Sequence, residues 1–369
     1  MAAAEWLPDF PWDSLAAATE LARAHQGGLV DLSVGTPVDP VPDVVQAALR
    51  GAANSPGYPL TAGTSALRAA AAGWLRRRHG VSVDPVAVLP VIGTKEFIAW
   101  LPTLLRCGQG DVVAYPELAY PTYDVGARLA GATPVAADGL VAFGPRRVAL
   151  AWLNSPSNPT GRVLPPEHLR KVVGWARERG TVVASDECYI ELGWEAEPVS
   201  VLHPDVCEGS HQGLLAVHSL SKRSNMAGYR AGFVTGDAAL IEQLREVRRH
   251  AGMMVPGPVQ AAMTAALRDD AHAEEQRARY WGRRKALWPA LAAAGWTVEE
   301  SAAGLYLWAT HPALDGRASV ERLAEAGILV APGEFYGPRG VRHIRVALTA
   351  TDERIAAAVG RLTGFDART

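Results

Sequence analysis

The chain has 369 residues, 49% hydrophobic and 20% charged, with a formal net charge of −2. Its length suits two domains, or one large α/β unit with a smaller one attached, and its near-neutral balance gives no reason to expect nucleic-acid or membrane partners. Three widely spaced cysteines, Cys107, Cys188 and Cys207, form no CxxC pair and no disulfide framework, which points to a reducing cytoplasm and to no metal site.

The residues Met1 to Trp6 lack a basic stretch followed by an apolar core, so no signal peptide is expected, and no apolar run reaches membrane-spanning length. Ala-rich stretches at Ala69 to Trp74 and Ala261 to Leu267 predict helices, because alanine has the best helix propensity. Buried strands are predicted at Val86 to Ile92, Asp111 to Tyr115, Arg147 to Leu153, Thr181 to Ser185, Leu214 to His218 and Ala231 to Thr235. Helical segments separate many of them, most clearly Leu169 to Glu178 and Asp237 to Arg249. Such alternation predicts a mostly parallel sheet covered on both faces. After Ala271 the pattern changes to a long charged helix, Ala271 to Ala293, then strands at Gly304 to Ala309 and His343 to Leu348 around a helix at Ser319 to Ala326. This reads as a smaller α/β domain.

Four polar clusters end or follow predicted strands, the place where open α/β sheets put ligands. Gly93-Thr94-Lys95-Glu96 opens a helix whose free N–H groups suit a phosphate, although an ordinary strand-to-helix turn is the simpler reading. Asn154-Ser155-Pro156-Ser157-Asn158-Pro159-Thr160-Gly161 is turn chemistry, or a stiff loop that aims an amide at a ligand oxygen. Asp186 in Ser185-Asp186-Glu187-Cys188-Tyr189 is either a helix cap or a carboxylate that pairs with a protonated ring nitrogen. The fourth cluster is Ser219, Ser221, Lys222 and Arg230. Lysine occurs only at 95, 171, 222 and 285, so arginine carries most of the positive charge. An aldehyde cofactor needs an amine that can lose its proton, which a guanidinium cannot supply. Lys222 alone sits among hydroxyls, a glycine and a following arginine, a setting that suits a pyridoxal phosphate Schiff base.

The order of these motifs resembles the class I/II aminotransferases of fold type I, from about Leu32 to about Leu348. The resemblance implies a large domain with a mostly parallel seven-stranded sheet covered by helices, plus a smaller α/β C-terminal domain. It places the large pyridoxal phosphate domain at 38–271 and the small one at 1–37 with 272–369. It implies that Lys222 holds the cofactor and shuttles protons, that Asp186 pairs with the pyridinium, and that Asn158 and Tyr189 bond the phenolic oxygen. Ser219 and Arg230, joined by Gly93, Thr94 and Lys95, are implied as phosphate ligands. Tyr120 is implied as the ring that stacks on the cofactor, and a core tyrosine beside a Pro turn explains it equally well. Tyr58 resembles the tyrosine that reaches a neighbouring subunit's phosphate, which implies a homodimer with shared sites. Gly35 and Asn158 lie by the substrate, and Arg345, in an apolar strand-like run, is implied as the fork for the α-carboxylate.

Within that family, the segments Val91 to Leu105 and Ser219 to Arg230, and Arg223-Ser224-Asn225 above all, are most similar to actinobacterial N-succinyldiaminopimelate aminotransferases. The implied reaction exchanges an amino group between glutamate and N-succinyl-2-amino-6-oxopimelate. Rival readings are transamination of aspartate or kynurenine, a C–S β-lyase on the same scaffold, and a non-catalytic ligand-sensing regulator.

Overall fold

The computed structural model describes residues 7–144 and 146–365. Its strands are β1 (Val30–Asp31), β2 (Val88–Ile92), β3 (Val112–Tyr115), β4 (Thr133–Ala136), β5 (Val148–Asn154), β6 (Val182–Asp186), β7 (Leu214–Ser219), β8 (Ala231–Gly236), β9 (Thr297–Glu299), β10 (Tyr306–Thr310), β11 (Ile328–Leu329), β12 (Ala331–Pro332) and β13 (His343–Ala347). Seven of them form one sheet in the order β2-β8-β7-β6-β5-β3-β4. Only β8 runs against the others, since it pairs antiparallel with both β2 and β7. The chain has the expected fold-type I architecture.

Alternation along each strand sends neighbouring side chains to opposite faces. Val88, Val183, Leu214, Ala216 and Phe233 pack under the helices 65–79, 166–179 and 257–268. Leu89, Val91, Leu150, Trp152, Leu215 and Val217 pack on the other face, under 94–104, 122–129 and 238–250. The helix expected at Ala69 to Trp74 is longer, Ser65–His79. Thr64 caps it by accepting from the Leu67 N–H at 3.1 Å, and left-handed Gly80 ends it.

The strand β4 has no counterpart among the predicted strands. It is short, half-exposed and carries Pro134, which is tolerated because β4 lies at the sheet edge and needs a partner on one side only.

The smaller part is a four-stranded antiparallel sheet, β12-β13-β10-β9. The N-terminal segment packs on this part: β1 pairs parallel with β11, and Ala22 is buried with Ala324 and Leu329. The two parts meet at the loop after β5, where the Ala303 N–H donates to the Gly161 carbonyl at 3.0 Å. Gly161 has φ +71, and a Cβ there would lie 2.4 Å from the Ala303 oxygen.

Gly161→Ala is therefore expected to cost about 1–3 kcal/mol in a denaturant titration. Gly174→Ala is the control. This glycine sits inside the helix Pro166–Arg179 with nothing within 4 Å of an added Cβ. That variant should be unchanged or gain up to about 1 kcal/mol.

Candidate active site

The strand β8 begins at the edge where β2, β5, β6 and β7 end. Ile92 pairs with Ala231, Ser219 with Gly232, and Asn154 with Asp186. The single antiparallel strand thus brings Arg230, the residue before β8, to the Gly93 turn that follows β2. Above this edge lies a cavity of about 660 Å³. Gly35, Thr94, Lys95, Tyr120, Asn158, Asp186, Tyr189, Ser219, Lys222, Arg230 and Arg345 all line it. Gly93 sits behind the Arg230 guanidinium: with φ +72, a Cβ there would lie 2.2 Å from Arg230 Nη2.

At one end, Thr94 opens the helix Thr94–Leu104, so its first N–H groups face this turn unpaired within the helix. The Ser219 hydroxyl accepts from the Ser221 N–H at 3.1 Å. Arg230 is left-handed at φ 55, and its Nη1 donates to the Ala227 carbonyl at 2.9 Å. No carboxylate among the described residues pairs with it. A helix start, a hydroxyl and an unpaired guanidinium together make a phosphate cup.

Asp186 ends β6, 5% exposed, and accepts from the Tyr123 hydroxyl at 2.7 Å and from the Cys188 N–H at 3.1 Å. Burial pushes its carboxyl above the usual range, and those two donors pull the other way. No cation pairs with it among the described residues, so a charged ligand nitrogen is what it lacks. Lys222 reaches in from the turn after β7, and its Nζ donates to the Gly35 carbonyl. Although open to the cavity, the amine is deep in the molecule, and burial lowers its pKa to about 8.

At the other end, Arg345 on β13 is 2% exposed. Its Nη1 donates to Asn158 Oδ1 at 2.9 Å and its Nη2 to the Ser33 carbonyl at 2.7 Å, while Nε has no protein partner. The guanidinium lies 3.9 Å from the ring centre of Tyr306 and 4.7 Å from that of Tyr336. Arginine only donates, so it turns the Asn158 oxygen toward itself and leaves the Asn158 amide nitrogen to donate. Asn154 braces the loop: its Oδ1 accepts from the Asn158 N–H at 2.8 Å and its Nδ2 donates to the Asp186 carbonyl at 3.0 Å. Tyr189 is buried with its hydroxyl 3.1 Å from that of Tyr306.

Tyr120 lines the cavity at its aromatic wall, with the Lys95 Nζ 5.5 Å from its ring centre and 5.8 Å from that of Phe10. Tyr58 is 96% exposed and stands outside this chain's own cavity.

Sequence reasoning missed Tyr306, Tyr123 and the N-terminal residues Phe10 and Trp12. Tyr306 lies on a predicted strand, but nothing in that strand says which face meets Arg345. A Cβ on Gly35 would lie 2.2 Å from the Tyr306 hydroxyl, so the two positions are matched only in space.

The run Arg223-Ser224-Asn225, which carried the narrower resemblance, belongs to the scaffold of the lysine turn. All three are buried and none lines the cavity. Arg223 pairs with Glu191, the Ser224 hydroxyl meets His272 Nε2 at 2.8 Å, and the Asn225 amide donates to Gln276 at 2.9 Å. They pin the lysine turn to the helices 257–268 and 271–293 and read no substrate group from where they lie.

The model of the family aminotransferase class I and II matches residues 28–362. The chain belongs to this family. A probable aminotransferase of Mycobacterium tuberculosis is 66% identical over 97% of this chain and 85% of its own length. The 4-dedimethylamino-4-oxo-anhydrotetracycline transaminase OxyQ of Streptomyces rimosus is 60% identical over 97% of this chain and 99% of its own length. Among solved structures, a probable N-succinyldiaminopimelate aminotransferase of Thermus thermophilus superposes with a TM-score of 0.87 at 30% identity, over 96% of this chain and all of that one.

Family members work with pyridoxal phosphate, and this aminotransferase offers what that cofactor needs. Lys222 can present a neutral amine, Asp186 is a buried carboxylate short of a cation, and the cup at Thr94, Ser219 and Arg230 awaits a dianion.

The reaction of the cofactor-free aminotransferase with pyridoxal phosphate should speed up with pH around a midpoint of about 8. Free lysine would place the midpoint near ~10.4. The lowered pKa means that the amine is neutral and nucleophilic above that lower value. Stopped-flow absorbance across the pH range checks this, and a midpoint near the free-lysine value would mean a solvated amine.

Proposed function

We propose that this aminotransferase converts N-succinyl-LL-2,6-diaminopimelate and 2-oxoglutarate reversibly to N-succinyl-2-amino-6-oxopimelate and glutamate, a step in diaminopimelate and lysine formation. The observation that carries the substrate class is Arg345, a buried guanidinium with no carboxylate of its own. It suits the α-carboxylate shared by every amino acid and 2-oxo acid. Lys95 adds a second cation on the cavity wall, without an ion-pair partner among the described residues, and a long substrate with a distal carboxylate would engage both. The probable N-succinyldiaminopimelate aminotransferase of Thermus thermophilus supports this choice. So do LL-diaminopimelate aminotransferases, which are 33–35% identical to this chain.

When bound, the cofactor supplies an electron sink for the bond-breaking carbon. The other duties fall on the chain. Arg345 grips the α-carboxylate and orients the substrate. Lys222, once displaced, carries a proton away from the substrate Cα. Asp186 keeps the proton on the ring nitrogen, and Asn158 and Tyr189 hydrogen-bond the phenolic oxygen. Ser219, Arg230 and the turn Gly93-Thr94-Lys95 hold the phosphate, while Tyr120 covers the ring. The working unit is a homodimer in which the exposed Tyr58 completes the partner's phosphate site.

A second reading rests on OxyQ, 60% identical over nearly the whole chain and named for a tetracycline precursor. The aromatic wall of Phe10, Trp12 and Tyr120 suits a flat polycyclic ketone as well as a flexible acyl chain. A panel of amino donors and oxo acceptors, read by the spectral change of the cofactor, separates the two. Efficient turnover of a polycyclic ketone with none of the succinylated acid would overturn the first reading.

Lys222→Ala is expected to lower kcat by at least about 10³-fold and to remove the absorbance of the lysine-bound cofactor. Retained turnover with the same spectrum would end the assignment. Lys95→Ala should raise KM roughly tenfold for acceptors with a distal carboxylate and leave pyruvate unaffected.

A further inference from the structure

Each of three residues assigned to the cofactor has a chain neighbour that points the other way. Glu187 follows Asp186, His218 precedes Ser219, and Arg223 follows Lys222. These three neighbours line one small cavity of about 10 Å³ together with Trp74, Glu191 and four others, Ser219 among them. That volume is about what one water requires.

The polar atoms around it are unusual. Glu187 is 1% exposed, His218 2% and Arg223 6%. Glu187 Oε1 accepts from the Val201 N–H at 2.8 Å, but Oε2 has no hydrogen-bond partner. His218 Nδ1 and Nε2 and Arg223 Nη2 also have none. The nearest approach is His218 Nε2 to Glu187 Oε2 at 3.6 Å, too long for a direct hydrogen bond. Elsewhere the cluster is well tied: Arg223 pairs with Glu191, which also accepts from the Trp74 indole at 3.2 Å. Trp74 meets the His218 ring edgewise and Phe233 meets it at a 35° tilt, at 5.2 and 5.0 Å between ring centres. Four buried polar atoms left unmatched together are costly, because each has given up its hydrogen bonds to water.

We propose that Glu187, His218 and Arg223 form a single-water site behind the cofactor pocket, and that this water locks the ends of β6 and β7 and the Lys222 turn in the geometry that binds the cofactor. One water matches three of these four atoms: Glu187 Oε2, Arg223 Nη2 and one His218 nitrogen. Arg223 Nη2 donates to the water, which donates in turn to Glu187 and to the acceptor nitrogen of a neutral His218. The charge states agree with this. Burial pushes the Glu187 carboxyl up to about 7, against the Val201 amide and the Ser200 and Ser185 hydroxyls that favour its charged form. Burial also holds His218 well below its usual value, helped by His79. With His218 neutral, the 3.6 Å Glu187–His218 approach is not an ion pair, and the water joins the two side chains. Glu187, His218 and Arg223 are positioning residues. None faces the cofactor cavity, and each acts through the neighbour that does.

The inference rests on the assignment of Asp186, Ser219 and Lys222 to the cofactor, which the Lys222→Ala spectrum tests separately. A high-resolution crystal structure of the holoenzyme should show one ordered water within hydrogen-bond reach of Glu187 Oε2, a His218 nitrogen and Arg223 Nη2. Cofactor affinity, measured by fluorescence on the cofactor-free protein, should be within about threefold of normal in Glu187→Gln, which keeps both a donor and an acceptor. It should weaken about tenfold or more in Glu187→Leu, which keeps neither. His218→Phe serves the same purpose if Glu187→Leu does not fold. Melting of the cofactor-free proteins should rank differently from cofactor affinity, since an apolar replacement removes a buried carboxyl. A direct Glu187–His218 hydrogen bond with no water overturns the proposal, as does a Leu or Phe variant that binds cofactor as tightly as the wild type.

Discussion

Asp186 is a carboxylate buried at the end of a central strand, with a tyrosine hydroxyl and a backbone amide for donors and no cation to balance it. Removing a carboxylate from water without a counter-charge is expensive, and a ligand cation relieves that cost. The rest of the site follows from that requirement. The ligand's cation must lie above the sheet edge, its anion must fall in the cup made by Thr94, Ser219 and Arg230, and its reactive carbon must lie within reach of Lys222. The antiparallel strand β8 makes these positions compatible, because it starts where its neighbours stop and so delivers Arg230 to the Gly93 turn.

The same logic of incomplete charge runs through the substrate side. Arg345 is buried against two tyrosine rings and donates to one side-chain amide and one backbone carbonyl, neither of which neutralises it. Its bond to Asn158 joins the small sheet to the loop after β5, so the residue proposed to hold the substrate carboxylate also ties the two parts of the fold. The depressed pKa of Lys222 belongs to the same environment: burial disfavours its ammonium, and the positive charges of Arg345 and Arg230 push in the same direction. A site that collects unpaired cations around an amine brings its neutral form within reach at a lower pH than in water.

Behind the pocket, the chain neighbours of Asp186, Ser219 and Lys222 form a second constellation: His218 on β7, and Glu187 and Arg223 just past the ends of β6 and β7. Glu187, His218 and Arg223 carry no visible signature of their own, since a Glu, a His and an Arg beside a motif read as ordinary strand and turn residues. Their interest comes from being buried together. Arg223-Ser224-Asn225 has the same character: the run that carried the narrower resemblance ties the lysine turn to its neighbouring helices.

Much of this was legible in the residues alone. The rarity of lysine singled out Lys222, the alternation of apolar runs and helical segments predicted a parallel sheet, and the order of Asn158, Asp186, Lys222 and Arg230 along the chain carried the family. Those readings succeed because strand-end positions and turn chemistry are local properties. What failed was non-local. The strand β4 is a half-exposed edge with a proline, and nothing in its own pattern competes with a loop. Tyr306 and Gly35 fit each other across 271 residues. Sequence determined which groups are available for the chemistry, because an amine, a carboxylate and a guanidinium differ in kind. Only the tertiary structure decided which of them are left without partners, because burial and counter-charge depend on every element packed around them.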